Sequence, residues 1–208
     1  MKIYKKKFLF RIIFDETPTK VDNNIGVYCE QNFRKFTSET INLPLKDIDT
    51  DLIIPAEFLN TTEKSGLGAH VFSNLRKQVD FPQFKNQRIL VAGKNFGCGS
   101  SREHAVWALK EVGIDVIVSS EFADIFRGNA EKNGILLIKL PENVVQKFLT
   151  SKEKLTIDLI NQNIIDIKNQ KYHFEIDPFV KTKLLENISD LGYLMKHKDK
   201  ILEFEKNI

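Results

Sequence analysis

The stretch RILVAGKNFGCGSSREHAVWALKEVGIDVIV, residues 88–118, predicts a strand, a glycine-rich loop, a helix and a second strand. Residues 88–93 form a short apolar run bounded by polar residues, as in a buried strand. From residue 105 to residue 112 apolar residues recur at helical spacing, and Gly113 stands where a C-terminal cap belongs. Residues 114–118 are again a buried strand. The whole is a β-α-β unit of an α/β fold, and its loop falls at the carboxyl ends of the strands, where such sheets bind ligands.

The chemistry of the loop favours an anion as its ligand. Gly97 and Gly99 would let the backbone approach a ligand closely, and Ser100 or Ser101 would cap the free amides of the helix. The helix N-terminus adds partial positive charge. Arg102 supplies a planar guanidinium that can bind a carboxylate through two hydrogen bonds.

The spacing excludes three familiar ligand-binding or catalytic loops, although a purely structural role in helix capping stays open. The loop lacks the Gly-Lys-Ser/Thr of a phosphate-binding P-loop and the third glycine of a dinucleotide-binding turn. It is also not a Gly-x-Ser-x-Gly nucleophile elbow, although Ser100 could still be a nucleophile beside a base. Because Gly-x-Gly-Ser-Ser also occurs as plain helix capping, the loop alone favours function and structure equally.

Several ordered blocks of sequence together resemble one known family. Residues 97–105, Gly-Cys-Gly-Ser-Ser-Arg-Glu-His-Ala, followed by Trp-Ala-Leu at 107–109, resemble the signature of the small subunits of 3-isopropylmalate dehydratase. The aconitase C-terminal domain carries a related motif. Further similarity covers residues 35 to 205 in blocks at Asp49-Thr50-Asp51 with Ile53-Ile54-Pro55, Gly66-Leu67-Gly68-Ala69-His70, and Phe122-Ala123-Asp124-Ile125-Phe126 with Gly128-Asn129.

This resemblance implies a fold and a reaction. The fold would be a swivelling β/β/α domain of the aconitase C-terminal type over residues 34–208. The reaction would interconvert 2-isopropylmalate and 3-isopropylmalate by loss and re-addition of water through 2-isopropylmaleate, a step of leucine biosynthesis. Two alternatives stay open: the small subunit of a homoaconitase or methyl-malate-type hydro-lyase, and a non-catalytic carboxylate-binding module.

The resemblance also implies roles for the residues of the loop. Ser100 would be the catalytic base, acting as an alkoxide that the helix N-terminus, the loop amides and Arg102 stabilise. Substrate would be bound by Gly97, Cys98, Gly99, Ser101 and Arg102.

The family reaction needs a Lewis acid that this chain is poorly equipped to hold. In the relatives an iron of a [4Fe-4S] cluster helps hydroxide to leave. This sequence has two cysteines, Cys29 and Cys98, fewer than the three or four thiolates that such a cluster usually needs. We therefore expect no cofactor on this chain, no metal ligands in it, and a large cluster-bearing subunit as its partner.

Composition bounds the remaining possibilities. The formal net charge is only +3, and lysines are scattered among nearly as many acids, so nucleic-acid binding gains no support. No apolar run is long enough for a membrane span, and two cysteines without an evident pair favour a cytoplasmic protein. Residues 1–33 precede the family similarity and are expected to be a poorly ordered N-terminal extension.

Four other features of the chain carry expectations of their own. Asp49 and Asp51 lack a nearby histidine, so a structural turn or a subunit contact is favoured over a metal site. Loop 60–70 is placed by the resemblance at the mouth of the site, where it would help to recognise the substrate side chain. His104 is expected to pack on its helix, and Arg127 to be an ordinary exposed helix residue.

Overall fold

A computed structural model describes residues 33–60, 63–79, 81–151 and 153–206 of this 208-residue chain. Its strands are β1 Lys35–Ser38, β2 Thr40–Leu43, β3 Ile89–Ala92, β4 Val116–Ser119, β5 Leu136–Lys139, β6 Leu155–Asp158, β7 Asn163–Ile165 and β8 Lys171–His173. Its α-helices are α1 Thr50–Ile53, α2 Ser73–Arg76, α3 Glu103–Glu111, α4 Asp124–Lys132, α5 Glu142–Ser151, α6 Pro178–Glu186, α7 Asp190–Lys196 and α8 Lys198–Lys206. Two 3₁₀ turns, Ala56–Phe58 and Gly68–His70, lie between α1 and α2.

A parallel sheet in the order β2-β3-β4-β5 forms the centre of the fold. Successive residues of a strand point to opposite faces, and along β3 the side chains of Ile89 and Val91 join one buried cluster while Leu90 and Ala92 join another. The sheet is therefore covered on both faces, which explains the unbroken apolar runs in its strands.

Each face of the parallel sheet packs against a different layer. One face carries α3 and α4, whose apolar stripes include Leu109 and Phe126. The other face carries α5 and α6 together with the antiparallel sheet β1-β6-β7-β8, through residues such as Phe148 and Ile157. This three-layer arrangement confirms the predicted α/β fold of β/β/α type.

The alternation of residues 155–160 and 164–167 around Asn161-Gln162-Asn163 predicts a hairpin, which β6 and β7 form, and residues 172–176 predict a third strand, which is β8. From Asp190 onward the sequence predicts one amphipathic helix, whereas the structure has two, α7 and α8, which meet at His197. Strand and loop are predicted after Pro44, where α1 forms instead, and the sequence gives no prediction for β1, β2 or α2.

The N-terminal expectation cannot be judged from the fold. Apart from Phe33, the segment 1–33 lies outside the described residues, so its poor order stays a prediction, as does the domain boundary at residue 34. Among the helices that are described, none combines the length and apolar character needed to cross a membrane.

Candidate active-site loop

The loop between β3 and α3 places its two serines on the surface beside the start of the helix. Ser100 and Ser101 are both exposed, and the N-cap residue of α3 is Arg102, in extended conformation. No side-chain hydrogen bond caps this helix, so the expected capping by Ser100 or Ser101 is wrong. Because Arg102 occupies the cap position, both hydroxyls are left for a ligand rather than used by the helix.

Thr50 fixes the orientation of the loop backbone from the neighbouring helix α1. Its backbone N–H donates to the carbonyl of Cys98 at 2.9 Å, and its hydroxyl donates to the carbonyl of Ser100 at 2.9 Å. In a trans peptide the N–H points opposite to the C=O. The amides of Gly99 and Ser101 therefore point away from Thr50, which makes them available as anion donors.

The two loop glycines are required by protein packing. Both have a left-handed φ, +79° at Gly97 and +87° at Gly99. A side chain at Gly97 would overlap the ring of Phe126, and one at Gly99 would lie 3.3 Å from Cβ of Asp49. The absent side chains thus let α1 and α4 close on the loop, which differs from the close ligand approach that the sequence suggested.

Arg102 lies at the site with its orientation already set. Its Nη1 donates to the carboxylate of Asp51 and, at 3.4 Å, to the carbonyl of Ile54. The Arg102 side chain is 14% exposed, whereas Asp51 is 53% exposed. One terminal nitrogen of the guanidinium is thus engaged, and its planar fork is held in a fixed position beside the serines.

The other acids near the loop have structural partners. The carboxylate of Asp49 accepts the N–H of Leu52 at 2.7 Å and caps α1, in keeping with a structural turn. Asp47 accepts a hydrogen bond from the Asn95 side chain at 2.8 Å. Burial, followed by the charges of Asp49 and Asp47, raises the pKa of the Cys98 thiol, so this cysteine is disfavoured as a thiolate.

A partly buried network behind the loop joins α3 to the end of α4. Asn133 donates to Glu103 at 2.8 Å and accepts the indole N–H of Trp107 at 3.0 Å. The hydrogen bond from Asn133, followed by one from Lys132, lowers the pKa of Glu103. The His104 ring lies 4.7 Å from the Trp107 ring, which agrees with the packing role expected for this histidine.

Two further expectations concern residues outside the loop. Arg127 is half-buried rather than exposed, and its Nε is buried without a hydrogen-bond partner. Burial raises the pKa of Glu131, one helical turn further along, and the positive charge of Arg127 opposes that rise. Within the described ranges no three His, Cys, Asp or Glu side chains converge as metal ligands. Cys98 is the one cysteine in the described part of the chain, and a single thiol beside carboxylates is a poor donor set for an iron–sulfur cluster.

Sequence reasoning missed the contributions of Thr50 and Asp51. Both belong to the Asp49-Thr50-Asp51 block, which the sequence marked through similarity and through its two carboxylates, without linking it to the serine loop. The signal that could have found them is the parallel arrangement itself, since the segment after β2 must reach the same sheet edge as the loop after β3. Asp49 indeed forms a parallel bridge with Cys98.

Comparison with known proteins gives a consistent result. The family model of the aconitase C-terminal domain matches residues 30–143. The 3-isopropylmalate dehydratase small subunit of Francisella philomiragia is 46% identical over 186 residues, covering 85% of this chain and 98% of that protein. The small subunit of Pelagibacter ubique is 44% identical, covering 86% and 94%. The crystal structure of 3-isopropylmalate dehydratase (LeuD) from Methanocaldococcus jannaschii superposes with a TM-score of 0.63 at 31% identity, covering 83% of this chain and 99% of that one.

Proposed function

The chain belongs to the family of 3-isopropylmalate dehydratase small subunits, hydro-lyase subunits of leucine biosynthesis, and from this premise we propose how its loop acts. Ser100 removes the proton from the carbon beside a substrate carboxylate, and Ser101 and Arg102 bind that carboxylate. The turn of Gly97, Cys98 and Gly99 completes the binding site, with the exposed backbone of Gly99 facing the substrate. In the reverse direction Ser100 returns the proton to the alkene.

The observation that carries the proposal is the juxtaposition of two exposed hydroxyls with an immobilised guanidinium. Ser100 and Ser101 project at the start of α3, and Arg102 is held next to them by Asp51 and the Ile54 carbonyl. A serine is a weak base in water. The helix N-terminus and the guanidinium lower the free energy of its alkoxide once a partner protein excludes solvent.

The small-subunit name of the relatives implies a large subunit as partner. We propose that the large subunit carries a [4Fe-4S] cluster, which supplies the Lewis acid that helps hydroxide to leave. The substrate is then a small hydroxy diacid bound between the two subunits in the cytoplasm.

The test is hydration of 2-isopropylmaleate under anaerobic conditions by this chain, by an iron-reconstituted large subunit, and by their mixture. Activity is expected only in the mixture. Because a positioned base contributes about 10²–10⁴-fold to rate, Ser100→Ala should lower kcat by at least about 100-fold. Arg102→Lys, which loses the planar fork, should mainly raise KM.

The controls separate chemistry from folding. Ser151→Ala changes a serine at the end of α5, whose hydroxyl bonds the carbonyl of Phe148, and should leave turnover unchanged. Thermal unfolding of Ser100→Ala should match that of the parent chain, because an exposed hydroxyl adds little to the core. Near-normal turnover by Ser100→Ala in the mixture would remove this residue as the base.

A further inference from the structure

The parallel pairing of β2 with β3 stops before the serine loop, residues 97–101, and then resumes. Within the sheet the last paired residues are Leu43 and Ala92. Six residues further along each segment, Asp49 and Cys98 pair again as a parallel bridge. The gap is equally long on both segments, so they must turn together if they are to meet again. The direction in which the serine loop leaves the sheet is set in this gap.

Each segment turns in the gap through a left-handed residue that is not glycine. The φ angle is +54° at Asp47 and +61° at Asn95. Aspartate and asparagine tolerate this conformation better than most residues, yet it is sparsely populated and persists only where the surroundings fix it. Because residues held in such conformations cluster at functional sites, these two are candidates for a role in the reaction.

The two left-handed residues, here called the turn pair, are joined to each other. Nδ2 of Asn95 donates to Oδ1 of Asp47 at 2.8 Å, and the backbone N–H of Asp47 donates to the carbonyl of Lys94 at 2.9 Å. An ionised carboxylate only accepts hydrogen bonds, so the amide nitrogen of Asn95 must face it. One bond joins side chains and the other joins backbones, which ties the turn of one segment to the turn of the other.

The contacts that orient the serine loop from α1 lie directly beyond the turn pair. The N–H of Gly97 donates to the carbonyl of Ile48 at 2.7 Å. The two bonds of Thr50 to loop carbonyls follow, and then the bond of Arg102 to Asp51. These contacts run in order along both segments, so the turn pair sets the register from which they start.

The surroundings of the turn pair favour a role in the reaction over one in folding. Asp47 is exposed and Asn95 is half-buried, whereas β3, which leads into Asn95, is buried along its whole length. A hydrogen bond that water can replace contributes little to the free energy of unfolding. Loss of this bond should therefore alter the path of the serine loop while the fold persists.

We infer that Asp47 and Asn95 are a positioning pair for the hydro-lyase reaction, and that their hydrogen bond sets the distance from Ser100 to the substrate carbon that loses its proton. This inference rests on the proposed function. Arg102 is held separately by Asp51, so it binds the substrate carboxylate with or without the turn pair. Ser100 must in addition reach the reacting carbon, and a misplacement of about 1 Å can cost about 100-fold in rate.

Glycine variants remove the hydrogen bond and keep the backbone conformation. Asp47→Gly and Asn95→Gly both accept a left-handed φ at no steric cost. Each variant is mixed with iron-reconstituted large subunit over a range of concentrations, and hydration of 2-isopropylmaleate is followed under anaerobic conditions. We expect kcat to fall about tenfold in both variants, with KM within about twofold because Arg102 still binds the carboxylate.

Exchange of the two side chains tests whether the hydrogen bond itself matters. Asn95→Asp sets two carboxylates against each other and should lower kcat at least as much as Asn95→Gly. The double variant Asp47→Asn/Asn95→Asp again sets one amide against one carboxylate, with donor and acceptor reversed. This double variant should recover kcat to within about threefold of the parent chain.

The matched control is Asn169→Gly. Asn169 is also exposed and left-handed, with φ +60°, but it lies in the turn between β7 and β8 of the antiparallel sheet. This variant should leave kcat unchanged. Thermal midpoints of Asp47→Gly and Asn95→Gly should lie within about 3 °C of that of Asn169→Gly, which would show that the loss of turnover does not come from unfolding.

A deuterium kinetic isotope effect reports on the proton transfer itself. Dehydration is measured with substrate deuterated at the carbon that loses its proton. The isotope effect on kcat should be larger in Asp47→Gly than in the parent chain, because proton transfer becomes slower relative to the other steps. A merely structural change would lower the amount of active protein and leave the isotope effect as it was.

The outcomes that would overturn the inference are distinct from failure of the proposed function. An unchanged kcat in both glycine variants would overturn it, as would a double variant that fails to recover. A kcat that returns to the parent value with more large subunit would assign the turn pair to subunit contact and would also overturn it. A parent mixture without activity would instead overturn the proposed function, and the inference with it.

Discussion

At the scale of single residues, some groups at the loop are fixed by hydrogen bonds, whereas others stay exposed and can bind a ligand. Thr50 and Asp51 are engaged with loop atoms, whereas Ser100 and Ser101 remain exposed. Arg102 belongs to both classes, because Asp51 occupies only one side of a fork with five N–H donors. This division is what a carboxylate site needs, since donors that are already oriented are not reorganised during the reaction.

Cys98 offers a test of the electrostatics at this loop. Burial, then the charges of Asp49 and Asp47, raises its pKa, so little thiolate is present at neutral pH. In a Cys29→Ser background, alkylation by iodoacetamide should show a pH midpoint above the ordinary cysteine value of about 8.5. The variant Asp47→Asn should lower that midpoint, because one of the two negative charges is removed.

The Cys98 alkylation experiment has a matched control variant. Asp199→Asn removes an equivalent charge from α8 and should leave the Cys98 midpoint where it was. Asparagine suits position 47, where φ is +54°, since it tolerates left-handed backbone better than most residues. A midpoint at or below the ordinary value in the parent chain would show that the nearby acids do not control this thiol.

At the scale of secondary-structure elements, α3 is fixed to three other segments. Its first turn follows the serine loop, its middle bonds α4 through Asn133, and the carboxylate of Glu111, its last residue, accepts the N–H groups of Gly66 and Gly68. A helix that is fixed at these points transmits position along its length. The geometry of the site therefore depends on contacts well away from the serines.

The link from α3 to α4 has a pH dependence whose sign can be derived. The folded-state pKa of Glu103 is lowered, first by the Asn133 hydrogen bond. A depressed pKa contributes stability above the unfolded-state value of about 4.3, and that contribution is lost as the pH falls through the folded-state value. Glu103→Gln should thus cost about 1 kcal/mol of unfolding free energy at neutral pH.

Urea denaturation across pH provides the measurement. The difference between Glu103→Gln and the parent should shrink as the pH falls from about 4.3 through the lower folded-state pKa of Glu103, below which Glu103 is as neutral as glutamine. The exposed Glu205→Gln should show no difference at any pH. A Glu103→Gln deficit that stayed constant into acid would mean that the charge of Glu103 contributes nothing and that shape alone matters.

Sequence patterns predicted the elements of the centre better than those of the edge. The β3-α3-β4 unit was predictable because its apolar runs are buried on both faces and Gly113 ends the helix. β1 was missed because its four residues are mostly polar and exposed. It is a strand because it pairs with β6, more than a hundred residues away. Long-range pairing of that kind leaves no local signal.

The candidate site was predictable to a similar extent. Ser100, Ser101 and Arg102 were identified from one contiguous motif, and their exposure and grouping agree with a binding loop. The contacts that fix the loop come from Thr50, Asp51 and Phe126, on elements up to 51 positions away, and nothing in the local sequence specifies them. The hydrogen bond between Asp47 and Asn95 was missed for the same reason, because its two residues lie 48 positions apart.

At the scale of the whole molecule, the parallel sheet is shared by two cores. β3 and β4 alternate their side chains between the helical layer of α3 and α4 and the layer that includes α5 and the antiparallel sheet. A substitution that destabilises one layer should therefore also destabilise the other through the shared sheet. We expect a single cooperative unfolding transition for residues 34–208.

Phe148→Ala tests this coupling from the layer opposite the site. Phe148 is 2% exposed on α5, and truncation of a buried phenylalanine costs about 3–5 kcal/mol. Trp107, the one tryptophan of the chain, lies on α3 and reports on the other layer. Urea unfolding followed by Trp107 fluorescence and by far-UV circular dichroism should show the same lowered midpoint.

The control is Phe204→Ala, at a phenylalanine 68% exposed on α8, which should change the free energy of unfolding by less than about 0.5 kcal/mol with either probe. If Phe148→Ala shifted the dichroism but not the fluorescence of Trp107, the layers would unfold separately. The shared sheet would then not couple the α5 layer to the helix that carries the site.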